Sequence, residues 1–133
     1  MSDTKKILFV CVENAGRSQI AEGFFRKFAQ PEFLSQSAGT KPTNEINPLA
    51  IQVMKEVGID ITGQKPKILS DEMIKKSAKV VNMGCMDKES CPALFVNNVI
   101  DWNIPDPKGK PIDQVRKIRD EIEIKVKELV ASL

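Results

Sequence analysis

Four apolar residues in a row, Ile7 to Val10, follow a polar start and run directly into a cysteine. An unbroken apolar stretch of this kind is what a strand buried on both faces of a parallel sheet requires. From Ser18 to Ala29 the period changes. Ile20, Phe24 and Phe28 recur at every fourth position with Ala21 and Phe25 beside them, which predicts a helix with one buried face. Phe33 to Ala38 predicts a second strand, closed by Gly39. Asn47-Pro48 then supplies an N-cap and a first-turn proline, Leu49, Val53 and Val57 follow at helical spacing, and Gly58 stops that helix.

Ser70 predicts the cap of a short helix carrying Met73 and Ile74, and Ala78 to Met83 and Val99 to Asp101 predict strands three and four. A long final helix over Ile112 to Leu133 places Val115, Ile118, Ile122, Val126 and Leu129 on one face. No repeat, low-complexity tract or linker interrupts the order β-α-β-α-(α)-β-β-α. The chain is therefore expected to be one domain over residues 1–133, of class α/β: a small doubly wound sheet of four parallel strands flanked by helices. Such sheets bind ligands beyond the carboxyl ends of their strands. Cys11, Cys85 and Asp106 follow the first, third and fourth strands. With strands one and three as neighbours, the flavodoxin-like order, their loops share one edge.

Composition narrows the function. A domain of 133 residues buries roughly two-thirds of its unfolded surface and needs no disulfide staples. A net charge of +2 gives no case for nucleic acid or a membrane surface as partner. No apolar run approaches a membrane span, and "MSDTKK" has no signal-peptide pattern, so a cytoplasmic monomer is expected. Three cysteines, Cys11, Cys85 and Cys91, make a poor disulfide framework in a reducing compartment and point instead to catalysis or metal. With no histidine, three thiols leave a tetrahedral zinc site one ligand short, so neither metal nor cofactor is expected.

Cys11 opens "CVENAGRS". A cysteine ending a strand is commonly a buried core thiol. Here, however, the chain turns from strand to helix, which aims several N–H groups at one point with the helix dipole behind them. Gly16 relieves crowding, Asn14 tolerates left-handed angles, and Arg17 can give two parallel hydrogen bonds to a tetrahedral oxyanion. Ser18 is placed to donate to the sulfur. A cysteine in that cradle, formed by Glu13, Asn14, Ala15, Gly16, Arg17 and Ser18, is expected to be a thiolate nucleophile. Asp106-Pro107 alone reads as an ordinary turn.

The motifs "CVENAGRSQIAEGFF", "SAGT", "NPLAIQVMKEVGIDI", "VVNMGC", "DWNIPDPKGK" and "VRKIRDEI" together resemble the low-molecular-weight protein tyrosine phosphatase family, and in particular its arsenate reductase branch. The resemblance runs over nearly the whole chain. It implies that Cys11 attacks the oxyanion, that Arg17 and the loop amides bind its oxygens, and that Asp106 protonates the leaving oxygen. It further implies that Cys85 attacks the Cys11–arsenate adduct, giving a Cys11–Cys85 disulfide. Cys91 then attacks Cys85, leaving a Cys85–Cys91 disulfide for thioredoxin. Phosphate and sulfate are the expected substrate mimics. Because Cys85 must meet two partners, the segment from Gly84 to Asn98 is expected to be mobile.

A phosphatase needs only the first cysteine, so the two further thiols favour arsenate reduction. The absence of tyrosine argues the same way, since family phosphatases often place tyrosines near the acid; Trp102 is expected in the core. Two rivals stay open: a phosphatase for phosphotyrosine or small esters, and a non-catalytic oxyanion or arsenite sensor with three thiol ligands. Some relatives bind potassium near the anion loop. Asn14, Glu22 and Ser37 match that pattern, but Lys65 and Lys67 stand where polar or acidic groups are expected, so a lysine is expected to replace the ion. Arg26, Lys108 and Lys110 are basic residues expected to steer anions.

Overall fold

The structure, a computed structural model, describes residues 5–83 and 99–133. Along these the elements are β1 (Lys5–Cys11), α1 (Arg17–Phe28), β2 (Phe33–Gly39), α2 (Pro48–Glu56), α3 (Asp71–Lys76), β3 (Lys79–Asn82), β4 (Val99–Asp101) and α4 (Ile112–Ser132). The strands form a four-stranded sheet in the order β2-β1-β3-β4 with every pairing parallel. Strands one and three are therefore neighbours, and the expected α/β architecture is the one present.

β1 is central and buried on both faces. Ile7, Phe9 and Cys11 point into a core with α1, α2 and α4, whereas Leu8 and Val10 pack with Ala38, Val80 and Ile74 of α3 on the opposite face. The alternation of side chains along a strand divides one apolar run between two layers. Trp102, just past β4, is buried against Phe9 with ring centroids 5.8 Å apart, a core role as expected.

The caps follow the sequence. Asn47 Oδ1 accepts from the Leu49 amide at 3.0 Å, and Ser70 Oγ accepts from the Met73 amide at 3.2 Å. α2 ends with Gly58 at φ +81° and the amide of Ile59 donating to Met54 O at 3.0 Å, a Schellman-type close that only a left-handed residue permits.

Two buried faces differ from expectation. On α2 the buried residues are Ala50, Val53 and Met54, with Leu49 and Val57 only partly covered. The helix is rotated by one position because Met54 reaches under α1. α1 is buried from Arg17 through Phe25 on all sides rather than along one stripe. The reason is Gly23: a Cβ there would lie 2.8 Å from Ile61 Cγ2 and 3.2 Å from Met54 Cε, so the segment after α2 lies directly against the helix's polar side. Arg119 of α4, also nearly buried, donates to Val53 O at 2.9 Å and to Glu56 at 2.8 Å, fixing α4 to the end of α2.

Among the described residues, no helix is long and apolar enough to cross a membrane. Parallel pairing puts the carboxyl ends of all four strands on one edge. Cys11 ends β1 there, paired with Gly39 of β2. Met83, following β3, donates to Val10 O at 2.9 Å.

Candidate active site

The loop from Cys11 to Arg17 is shaped by its carbonyls. Val12 O accepts from the amide of Lys41 at 2.8 Å, Glu13 O from Thr43 at 3.1 Å, and Ala15 O from Asn47 at 2.8 Å. Asn14 O accepts from Gln19 Nε2 at 2.8 Å. With its carbonyls drawn outward, the loop leaves the amides of Ala15, Gly16 and Arg17 without an acceptor among the described residues. Those are the donors a helix N-terminus offers an anion. The polarity reversal requires a left-handed residue, and Asn14 supplies it at φ +53°.

Asn14 is fully buried, and its side chain sets the hydrogen bonding at the sulfur. Its Oδ1 accepts from the Lys67 amide at 2.8 Å, which forces Nδ2 toward Ser18 Oγ, 2.7 Å away. Ser18 Oγ thus accepts from Nδ2 and lies 2.8 Å from Cys11 Sγ, with its own proton free to serve the sulfur. The Asn14 amide adds a second donor to the sulfur at 3.2 Å. Two hydrogen-bonding groups thus converge on one sulfur.

Arg17 is buried, with its NH1 donating to Ile104 O at 3.0 Å and its NH2 lying 3.9 Å from Asp106 Oδ2. Asp106 sits on the turn after β4, its side chain 53% exposed, with Oδ1 accepting from the Lys108 amide at 3.0 Å. Gly109 at φ +73° completes that turn, and Lys110 N donates back to Pro107 O at 3.1 Å. Pro107 rests on the anion loop so closely that a Cβ on Gly16 would lie 2.8 Å from its Cγ.

Cys11, Glu13, Ala15, Gly16 and Arg17 line one cavity of about 580 Å³, together with Asp106 to Gly109. Asn14 and Ser18 stand behind it as supports. The segment from Thr43 to Pro48, which the sequence did not single out as part of a site, also lines the cavity. None of the lining residues is aromatic among those described. Cys85 and Cys91 lie outside the described residues, as does the whole segment from Gly84 to Asn98. Among the described residues no cluster could hold a metal ion.

Glu22 and Ser37 touch each other and Asn14 is joined to them through Lys67, but the three do not fit a potassium ion. Asn14 Oδ1 is committed to the Lys67 amide, Ser37 Oγ donates to Glu22 Oε1 at 2.6 Å, and Lys67 Nζ lies 4.0 Å from the same oxygen. An ammonium already stands beside the buried carboxylate, while Lys65 offers only its backbone carbonyl to Lys67.

Of the basic residues expected to steer anions, Arg26 and Lys108 have side-chain partners, and Lys108 lines the cavity. Arg26 is engaged with Asp60 O at 3.2 Å. Lys108 Nζ donates to Glu13 Oε1 at 2.7 Å, and this hydrogen bond, reinforced by Glu13's charge and more weakly by that of Asp106, raises the lysine above its ordinary range. The sequence reading missed this pair. Its signal was the presence of an acid inside a loop built for anions.

Three comparisons bear on the chain. The family model described as low molecular weight phosphotyrosine protein phosphatase matches residues 6–133. An arsenate reductase of Staphylococcus aureus (strain Newman) is 40% identical over 124 residues, covering 92% of this chain and 93% of that protein. Among solved structures, an arsenate reductase in the phosphate binding state superposes with a TM-score of 0.86 at 31% identity, covering 96% of this chain and 98% of the other. A thioredoxin-dependent arsenate reductase of Corynebacterium glutamicum gives a TM-score of 0.82 at 35% identity, over 98% of this chain and 62% of that one.

Proposed function

The chain belongs to the low molecular weight phosphotyrosine protein phosphatase family, and we propose that it serves there as an arsenate reductase that uses its three cysteines in series. The observation that carries this reading is the pair of donors, Ser18 Oγ and the Asn14 amide, aimed at Cys11 Sγ on the wall of a cavity shared with Arg17 and Asp106. Cys11 attacks arsenic, and Arg17 with the amides of Ala15 and Gly16 binds the oxygens. Asp106 gives its proton to the departing oxygen, since a hydroxide or oxide leaves poorly without one.

The electrons come from thiols. Cys85 attacks the sulfur of the Cys11 adduct, forming the Cys11–Cys85 disulfide, and the As–S electron pair departs with arsenic, which leaves as arsenite. Cys91 then attacks Cys85, freeing the Cys11 thiolate and leaving a Cys85–Cys91 disulfide that thioredoxin reduces. The supports are two. Met83, two residues before Cys85, is hydrogen-bonded to Val10, the residue before Cys11. Curated and structural relatives are named arsenate reductases, one of them thioredoxin-dependent. A cytoplasmic monomer, one domain over residues 1–133 and no nucleic-acid or membrane partner complete the proposal.

The phosphatase reading has a specific observation behind it, because the family model itself describes phosphatases and the first chemical step is common to both. A phosphocysteine is released by water, so that activity needs neither Cys85 nor Cys91. Arsenate-dependent NADPH oxidation with thioredoxin and thioredoxin reductase separates the readings. The thiol relay requires turnover by the wild type and none by Cys85→Ser. No wild-type turnover, with p-nitrophenyl phosphate hydrolysed equally well by both proteins, would replace the reductase with a phosphatase.

A further inference from the structure

A carboxylate is out of place in a loop that gathers N–H groups and an arginine around an oxyanion. Glu13 stands in that loop, lines the cavity, and would repel the substrate if it were unpaired. Its charge is met by Lys108 at 2.7 Å, a contact between residues 95 apart in sequence. Lys108 has a second role through its backbone, since its amide donates to Asp106 Oδ1 at 3.0 Å. One residue therefore grips the oxyanion loop with its side chain and the acid with its main chain.

Asp106 has little else to orient it. Its carboxylate is half exposed, and among the described residues its other charged neighbour is Arg17, whose NH2 lies 3.9 Å away. Besides the longer Arg17–Asp106 approach, two contacts among the described residues join the turn to the anion loop, the packing of Pro107 on Gly16 and the ion pair of Lys108 with Glu13. The first is a non-directional contact, whereas the second fixes rotation of the turn.

The geometry points to Glu13 and Lys108 as positioning residues for Asp106: their ion pair is a clasp that holds the acid-bearing turn against the oxyanion loop. This rests on the reading of Asp106 as the proton donor. Neither residue touches the reacting atoms in this role. A clasp and a steering charge make opposite demands on mutants. Neutralising Lys108 removes a positive charge from the cavity rim and neutralising Glu13 removes a negative one, so steering predicts changes of opposite sign. A clasp predicts the same loss from either.

The test is a double-mutant cycle with Glu13→Gln, Lys108→Met, both together, and Lys108→Arg. In arsenate turnover each single neutral variant should lower kcat by about two- to fivefold, the range an exposed ion pair supports, with KM little changed. The double variant should be no worse than either single one, and Lys108→Arg should recover most of the rate. Changes of opposite sign, an effect confined to KM, or simple additivity would overturn the clasp. A second readout does not depend on arsenate chemistry. In a Cys85→Ser/Cys91→Ser background, iodoacetamide should alkylate Cys11 about two- to fivefold faster once either partner is neutralised. Equal alkylation rates in all four proteins would also overturn it. A wild type that fails to turn over arsenate would refute the reductase reading alone, and the alkylation cycle would still decide the clasp.

Discussion

Gly39 is the position where one methyl group should do the most harm. It ends β2 opposite Cys11 and lies beneath the anion loop. A Cβ there would stand 2.4 Å from Val12 O, 2.9 Å from Asn14 N and 2.9 Å from Cys11 O. All three are backbone atoms, so no side chain can swing aside. A close carbon–oxygen contact is about 3.3 Å, which leaves a deficit of roughly 0.9 Å against Val12 O. The strand cannot retreat either, because Gly39 N donates to Lys67 O and Gly39 O accepts from Leu69 N, both at 2.8 Å. The loop must therefore move.

Overpacking of this kind costs about 1–3 kcal/mol. For 133 residues the unfolding entropy is about 280 cal/mol/K, so Gly39→Ala should melt roughly 4–11 °C below wild type. A catalytic loop displaced by about 1 Å should lose on the order of 10²-fold in arsenate turnover. Gly63→Ala is the control, since nothing lies within 4 Å of its Cβ. Calorimetry and steady-state kinetics on the three proteins decide the matter. A Gly39→Ala protein that melts within about 1 °C of wild type and keeps its kcat/KM would refute the packing argument.

Three further outcomes are expected. Ser18→Ala deletes the hydroxyl donor to Cys11 Sγ, a charge-assisted bond of about 1.5–3 kcal/mol, and should lower kcat/KM for arsenate roughly 10- to 150-fold; a loss below threefold in steady-state kinetics would contradict it. Asp106→Asn should reduce kcat by about 10²–10⁴-fold while calorimetric phosphate binding persists, as removal of a general acid requires, and unchanged turnover would exclude that role. Glu56 is held below its ordinary value of 4.5 chiefly by the hydrogen bond from Arg116, with Arg119 adding to it. A depressed carboxylate stabilises the fold above its unfolded value, and that contribution disappears as pH falls through the lower folded value. Glu56→Gln should accordingly melt below wild type at pH 7, with the gap closing as the pH is taken under about 4.5; a gap that persists at low pH would mean that charge is not what Glu56 contributes.

Much of this protein was readable in the chain because its signals are local. The apolar run at Ile7 to Val10, the Asn47-Pro48 cap, Gly58 and the spacing along α4 each act through neighbours a few residues away, and each element formed where its pattern ended. The loop from Cys11 to Ser18 was readable for the same reason, since strand, turn and helix are consecutive. Tertiary packing decided the rest. No periodicity in α1 reveals that the segment around Ile61 covers its far side, or that α2 turns its buried face to Met54. Nor does the sequence reveal that the Lys67 amide fixes the orientation of Asn14, and through Ser18 the direction of the proton at Cys11. That path joins residues 53 positions apart. Glu13 and Lys108 are the clearest case, one read as part of the anion cradle and the other as a steering charge until the fold closes the chain between them. Hydrogen bonds and ion pairs reach only about 3–4 Å, so their partners are set by how the layers stack, which no window along the sequence contains.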